Sequence, residues 1–469
     1  MKRIFLLLAC LAAVWSAAAK VELPEIIGSG MVLQQNAEAR LWGWANPRTA
    51  VRIETSWGGK CTVESDAEGR WVAVVKTPAG SYEPQRITIT SGERVTLDNV
   101  LVGEVWFAAG QSNMEMPLGG FNNCPVAGAN EVIARAGARR GKLRYVKVPL
   151  TATYTPQERV AGKWNECTAE TAPRFTATGY FFAAMLNDVL DVPVGIVDCT
   201  WGGTRVESWT NREILETYPD VDLSEKAIAT MTDWLRPMVM YNAMLHPLAG
   251  YTIRGFLWYQ GESNVNQYAD YAVRLANMVS LWRGLWGQGD IPFYYVEIAP
   301  FSYNNNCAAY LREAQWKASE IIPNSGVICT NDLVEPYEAT NIHPCNKRDV
   351  GQRLAYMALN KTYRYGNIAC ESPRYESMEV RDGKAYLTFT HAKDGFSRME
   401  DIRGFEICGP DRVFHPADVA VDRRKLQLVV SSGKVAEPVA VRYGFRDFMP
   451  GNIANLRELP LVPFRTDDF

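Results

Sequence analysis

Between about residue 101 and residue 359, apolar runs of strand length alternate with stretches of helical periodicity. Val102 to Ala109, Val194 to Cys199, Gly255 to Gln260, Pro292 to Ile298 and Ser325 to Thr330 read as strands. Ala177 to Leu190 reads as a helix, with Phe181, Met185 and Val189 at i, i+4 and i+8. Tyr268 to about Leu285, Ala309 to Ile321 and Lys347 to Leu359 follow as further helices. Strands alternating with helices mean βαβ units and a parallel sheet. Such a sheet offers its ligand site at the carboxyl ends of its strands, so those loops are where chemistry is sought.

On either side of this region the rhythm is different. Val51 to Glu54 and Arg86 to Thr90 alternate apolar and polar residues, and Asp66-Ala67-Glu68-Gly69 and Ser91-Gly92 supply turns. Period-two runs at this spacing predict a small antiparallel β-sandwich over 20–100. Ala385 to Thr390, Lys425 to Val430 and Pro438 to Tyr443 predict a second β region over 366–469. The expected class is thus α/β over 101–365, flanked by these two β parts, with the three packed together rather than strung as beads. The start has a basic Met1-Lys2-Arg3, an apolar stretch from Ile4 to Trp15, and Ala17-Ala18-Ala19. That pattern predicts a secretory signal over 1–19, hence a secreted or periplasmic protein, with no membrane anchor in the remainder. Nine cysteines lie beyond it, an odd number, and no CxxC pair is present. With 49 Lys+Arg against 52 Asp+Glu, the formal charge of −3 argues against nucleic acid as a partner. The 14 Trp and 21 Tyr fit either β-domain core or a sugar-stacking surface.

Three strand ends carry unusual residues. Gly110-Gln111-Ser112-Asn113-Met114 follows the first strand. A serine on such a turn stands exposed while local amides face an incoming carbonyl, which suits a nucleophile. The competing reading is a serine that only caps a helix. Thr200-Trp201-Gly202-Gly203-Thr204 follows the next strand, where Gly203 can offer a second N–H to an oxyanion. In Trp258 to Asn264, the Gln260 side chain can donate to an oxyanion, and Glu262 can hold its loop or act on substrate. A base is still needed. Of four histidines, His391 and His415 lie in the β tail, and His246 precedes Pro247 upstream of a strand. His343, in the loop after the last strand of the alternating region, is the candidate that reaches Ser112.

Together these blocks resemble the sialate O-acetylesterase family of SGNH-type hydrolases. The likeness runs through Gly103 to Trp106 with Gly110 to Glu115, Trp201 to Thr204 with Trp209-Thr210, Trp258 to Asn264, and Ile342 to Lys347. Met31 to Gln34 with Trp42-Gly43-Trp44, and Leu459-Pro460 with Pro463 to Asp467, extend it to the chain's flanks. The resemblance implies an SGNH-type three-layer domain and a serine esterase acting on O-acetylated sialic acid, with no cofactor and no metal. It implies Ser112 as nucleophile, His343 as general base, and an oxyanion hole from the Ser112 and Gly203 N–H groups with the Gln260 side chain. One position departs from the pattern. Many SGNH enzymes place an Asp three residues before the histidine; here Thr340 stands there, followed by Asn341. Asp332, just past a strand end, ranks ahead of Glu338 as the acid orienting His343; a Ser–His dyad held by a backbone carbonyl is the other arrangement. Arg205 and Glu262 are assigned to substrate, Arg205 because a guanidinium can pair with a sialate carboxylate that neutral xylans lack. Xylan or mannan deacetylation and non-catalytic glycan binding are the rival functions. A histidine base predicts activity falling below a pKa near 6 to 7.

Overall fold

The computed structural model describes residues 20–469; the signal segment expected over 1–19 lies outside the described residues. A mostly parallel sheet forms the centre. Its strands run in the order Ser325–Ile328, Phe293–Val296, Gly255–Tyr259, Glu93–Gly110, Val194–Thr200, Leu143–Lys147 and Trp164–Glu166. All neighbours are parallel except the last pair. Glu93–Gly110 is the first of these strands in the chain and sits between Val194–Thr200 and Gly255–Tyr259. The chain first fills one side of it, reaching the edge at Trp164–Glu166 before Val194–Thr200 returns beside it, and then builds outward on the other side from Gly255–Tyr259, which makes its carboxyl end a topological switch point.

Side chains on this sheet alternate between two cores. Phe107, Ala109, Phe256, Trp258, Phe293 and Tyr295 join one cluster. Trp106, Ala108, Leu257, Tyr259, Tyr294 and Val296 join the other. A strand buried on both faces reads as a continuous apolar run, the pattern seen from Val102 to Ala109. Tyr268–Trp286 and Cys307–Ile321 cover the first face and pack on each other. Ala177–Leu190 and Lys347–Met357 cover the second. Their approach depends on Gly351: a Cβ there would stand 2.6 Å from the Thr178 carbonyl oxygen and 2.7 Å from Phe181 Cβ.

The strand Glu93–Gly110 crosses position 100, where the sequence pattern changes. Its first half pairs antiparallel with Ser81–Ser91, and Val32–Gln34 runs parallel to Leu101–Gly103. Glu38–Trp44 and Arg70–Lys76 form a separate two-stranded sheet. In the C-terminal part, Arg374–Arg381, Lys384–Thr390, Gln427–Ser431 and Asp418–Asp422 make one antiparallel sheet. His415–Pro416, Phe405–Cys408, Ala440–Tyr443 and Phe464–Arg465 make another. These strands pair among themselves and enclose a core of their own. Asp447 ties them to the centre, accepting from the N–H groups of Asn305, Asn306 and Ala308. No helix among the described residues is long and apolar enough to cross a membrane. The nine cysteines of the described residues are all free thiols.

Candidate active site

Ser112 stands at the switch point. The preceding strand ends at Gly110 with φ +132°, where a Cβ would lie 2.2 Å from the Tyr259 carbonyl oxygen. Only glycine fits so close an approach. Gln111 then takes the N-cap position of a four-residue helical turn, and Ser112 is its first residue. The serine is therefore not a helix cap. Gly202 packs against it: a Cβ there would come 3.3 Å from Ser112 Cβ, and the Gly202 N–H donates to Glu115 Oε2 at 2.6 Å. Neither the Ser112 nor the Gly203 N–H has an acceptor among the described residues.

Asn113, fully buried, joins three of the four loops. Its Nδ2 donates to Glu262 Oε1 at 2.5 Å and to the Ile342 carbonyl at 3.0 Å. Its Oδ1 accepts from Lys347 Nζ at 2.7 Å, and the same ammonium donates to the Pro344 carbonyl at 2.8 Å. The neighbour of Ser112 is thus bonded to the neighbour of His343. Burial pushes the Glu262 carboxyl up, opposed by the Asn113 hydrogen bond and the Lys347 charge. Burial brings Lys347 down to about 8, with Glu262 opposing the shift. Buried ionisable groups are held in this way when hydrogen bonds replace lost water.

The His343 ring lies edge-on to Phe121, with centroids 5.3 Å apart. Its Nδ1 is 3.7 Å from Cys124 Sγ, and its backbone N–H donates to Asn341 Oδ1 at 3.0 Å. Burial, aided by the Lys347 charge, lowers its pKa to about 4. The imidazole is therefore neutral at neutral pH, the form a general base requires.

Three expectations are corrected here. Asp332 does not orient His343: Arg353, reaching back from the helix Lys347–Met357, holds both its oxygens at 2.7 and 2.6 Å. Glu338 is spent on backbone N–H groups of Glu335 and Cys345. Gln260 is no oxyanion donor, because its Nε2 hydrogens go to the Thr204 carbonyl at 3.0 Å and Asn264 Oδ1 at 2.7 Å. It stitches the third loop to the glycine loop. Glu262 is 6% exposed, and its Oε1 accepts from Asn113, which ties the third loop to the serine turn. Arg205 donates from Nε to the Ser263 carbonyl at 3.1 Å and has no carboxylate within ion-pair distance among the described residues. His246 bonds the Gln157 carbonyl through Nδ1, away from these loops.

Residues that the sequence did not single out also border the site. Trp234 is 43% exposed and lies on the glycine loop: a Cβ on Gly203 would meet its Cδ1 at 2.7 Å. Asn113 and Lys347 lie inside the serine and histidine blocks, but neither was assigned a role of its own from the sequence. Nothing in the sequence near Cys124 marks it. Among the described residues, no cluster of three or more His, Cys, Asp or Glu is arranged to hold a metal.

Residues 102–360 match the family described as carbohydrate esterase, sialic acid-specific acetylesterase. The chain belongs to this family. It is an esterase, not a non-catalytic glycan-binding protein. It is 26% identical to sialate O-acetylesterase of Mus musculus, over 89% of this chain and 88% of that one. It is 27% identical to the Homo sapiens protein of the same name, over 89% and 86%. Among solved structures, a carbohydrate acetylesterase from Xanthomonas citri matches with TM-score 0.85 and 34% identity, covering 96% of this esterase and 100% of that chain. All the residues assigned to the site fall within the matched span.

Proposed function

We propose that this esterase is exported and removes O-acetyl groups from sialic acids through an acyl-enzyme formed on Ser112. The single observation that carries the reading is the Asn113 side chain, which bonds the histidine loop to the serine turn. In the proposed mechanism, neutral His343 takes the Ser112 proton as Oγ attacks the acetyl carbonyl. The N–H groups of Ser112 and Gly203 receive the developing oxyanion, each such donor being worth about 10² to 10³ in rate. The proton passes to the departing sugar oxygen. Water, deprotonated by His343, then releases acetate and restores the serine.

The arrangement supports an SGNH-type α/β unit over 101–365, with the β parts 20–100 and 366–469 as flanking domains. The basic and apolar start supports export. Sialate as substrate draws on the names of the mammalian relatives and on the Arg205 guanidinium, which no carboxylate of the described residues occupies. The greater identity to a bacterial carbohydrate acetylesterase favours a second reading, deacetylation of another glycan such as xylan or mannan. Acetate release from acetylated sialic acid, xylan and mannan separates the two. Ser112→Ala should abolish turnover of a chromogenic acetyl ester; normal turnover by that variant would end the assignment. Arg205→Ala should reduce sialate cleavage more than cleavage of a neutral acetyl ester, and equal losses would favour the neutral glycans.

A further inference from the structure

We infer that Cys124 is a positioning residue for His343, its sulfur occupying the place where an acidic side chain would be expected. The inference rests on the Ser112–His343 reading above. Both upstream acids are committed elsewhere, Asp332 to Arg353 and Glu338 to backbone N–H groups. What lies against Nδ1 instead is Cys124 Sγ, at 3.7 Å.

The direction of this contact follows from the thiol's single proton. Cys124 Sγ donates to Asn341 Oδ1 at 3.4 Å. With that proton directed at Asn341, the sulfur presents lone pairs to the imidazole, so Nδ1 carries the hydrogen and the sulfur accepts it. Nε2 is then bare and available to take the Ser112 proton. Asn341 fixes both partners, since the same Oδ1 accepts the His343 backbone N–H at 3.0 Å. The turn that delivers the sulfur is also held. Phe121 and Cys124 exchange both backbone hydrogen bonds, at 3.0 and 2.9 Å, and Asn123 between them takes φ +60°. That turn brings the Phe121 ring and the thiol to the imidazole together.

A neutral sulfur orients the ring and sets its tautomer without adding a negative charge to stabilise the imidazolium. The role is tested with the full chain on a chromogenic acetyl ester, using Cys124→Ala, Cys124→Ser and Cys124→Asp beside Ser112→Ala and His343→Ala. Cys124→Ala should lower kcat about tenfold, the loss of one neutral hydrogen bond, with KM little changed. Cys124→Ser, whose hydroxyl can both accept from Nδ1 and donate to Asn341, should recover most of that loss. The titratable groups facing His343 are Lys347 from the helix that follows it and Cys124 from the turn. Placing a carboxylate at 124 should therefore move the acid limb of kcat/KM upward by about one pH unit or more. Nitrogen-15 NMR of the wild-type imidazole should find the proton on Nδ1. A wild-type kcat for Cys124→Ala, a serine variant as slow as alanine, an unmoved limb in Cys124→Asp, or a proton on Nε2 would each overturn the role. Normal turnover by Ser112→Ala or His343→Ala would instead remove the reading beneath it.

Discussion

A half-buried imidazole with no carboxylate paired to it holds its proton weakly, because protonation places a charge where water is partly excluded. His343, at about 4, is in that state, with burial the larger cause and the Lys347 charge the smaller. The unperturbed value near 6.5 expected for a histidine base therefore does not apply. As pH falls, kcat/KM should stay level through 6 and decline only near 4. Stability has a different window. The unfolded chain binds this proton near 6.5 and the folded chain near 4, so stability should fall as pH drops from the upper value to the lower. Lys347→Met removes the nearby charge and should shift the acid limb upward; a limb that stays put would exclude that charge as a cause. Asp332 makes a second contrast at this scale. Loss of an acid that orients a catalytic histidine costs about 10⁴ in kcat. Here Asp332→Asn should leave kcat within about threefold and lower stability by about 1–3 kcal/mol, because it weakens the hold on buried Arg353. A collapse of kcat with unchanged stability would contradict the Arg353 pairing. The placement of Ser112, Gly203 and His343 in loops after strands of the central sheet was legible because the end of an apolar run marks a strand end. The commitments of Asp332 and Gln260 were not, since their partners Arg353 and Thr204 are set by tertiary contact.

Periodicity located the elements that bury apolar faces. The helix read from Phe181, Met185 and Val189 forms over Ala177–Leu190, and its neighbours on the sheet fall within a few residues of their expected bounds. Leu143–Lys147 went unread because two of its five residues are charged. Arg144 is nonetheless 1% exposed, its guanidinium donating to the Gly30 carbonyl and to Asn99 Oδ1. Charge says nothing about burial when the fold supplies acceptors. The segment between Thr204 and Gly255 was equally opaque, since its helices Arg212–Leu215 and Glu225–Thr230 are too short to show a period. Yet this segment brings Trp234 onto the glycine loop. An exposed indole there suits the apolar face of a sugar ring, an interaction of about 0.5–1.5 kcal/mol by analogy with aromatic pairs. Trp234→Ala should lower kcat/KM on an acetylated sugar about three- to tenfold while sparing a small alkyl acetate. Equal effects on both substrates would rule out contact with the sugar.

Across the whole molecule, the division suggested by the changing sequence rhythm is bridged by shared structure. One strand, Glu93–Gly110, belongs both to the N-terminal β part and to the sheet that carries Ser112. One apolar cluster runs from Leu41, Ile53 and Ile89 through Phe107 to Trp258 and Trp282. The C-terminal strands enclose a separate cluster around Leu387, Ile407 and Tyr443, attached through hydrogen bonds at Asp447 and the ion pair of Arg465 with Glu313. Cooperativity follows continuity of the core, since parts that share buried surface are expected to lose it together. The N-terminal part should therefore not melt ahead of the catalytic part. Ile89 is fully buried, and Ile89→Ala should cost about 2–5 kcal/mol. At about 1.4 °C per kcal/mol for a unit of roughly 350 residues, the midpoint should drop by roughly 3–7 °C. Calorimetry read alongside residual esterase activity decides the matter. Activity should disappear with the shifted transition, although residue 89 belongs to no site loop. Activity that survives past that transition would mean that the shared strand and cluster do not couple the two parts.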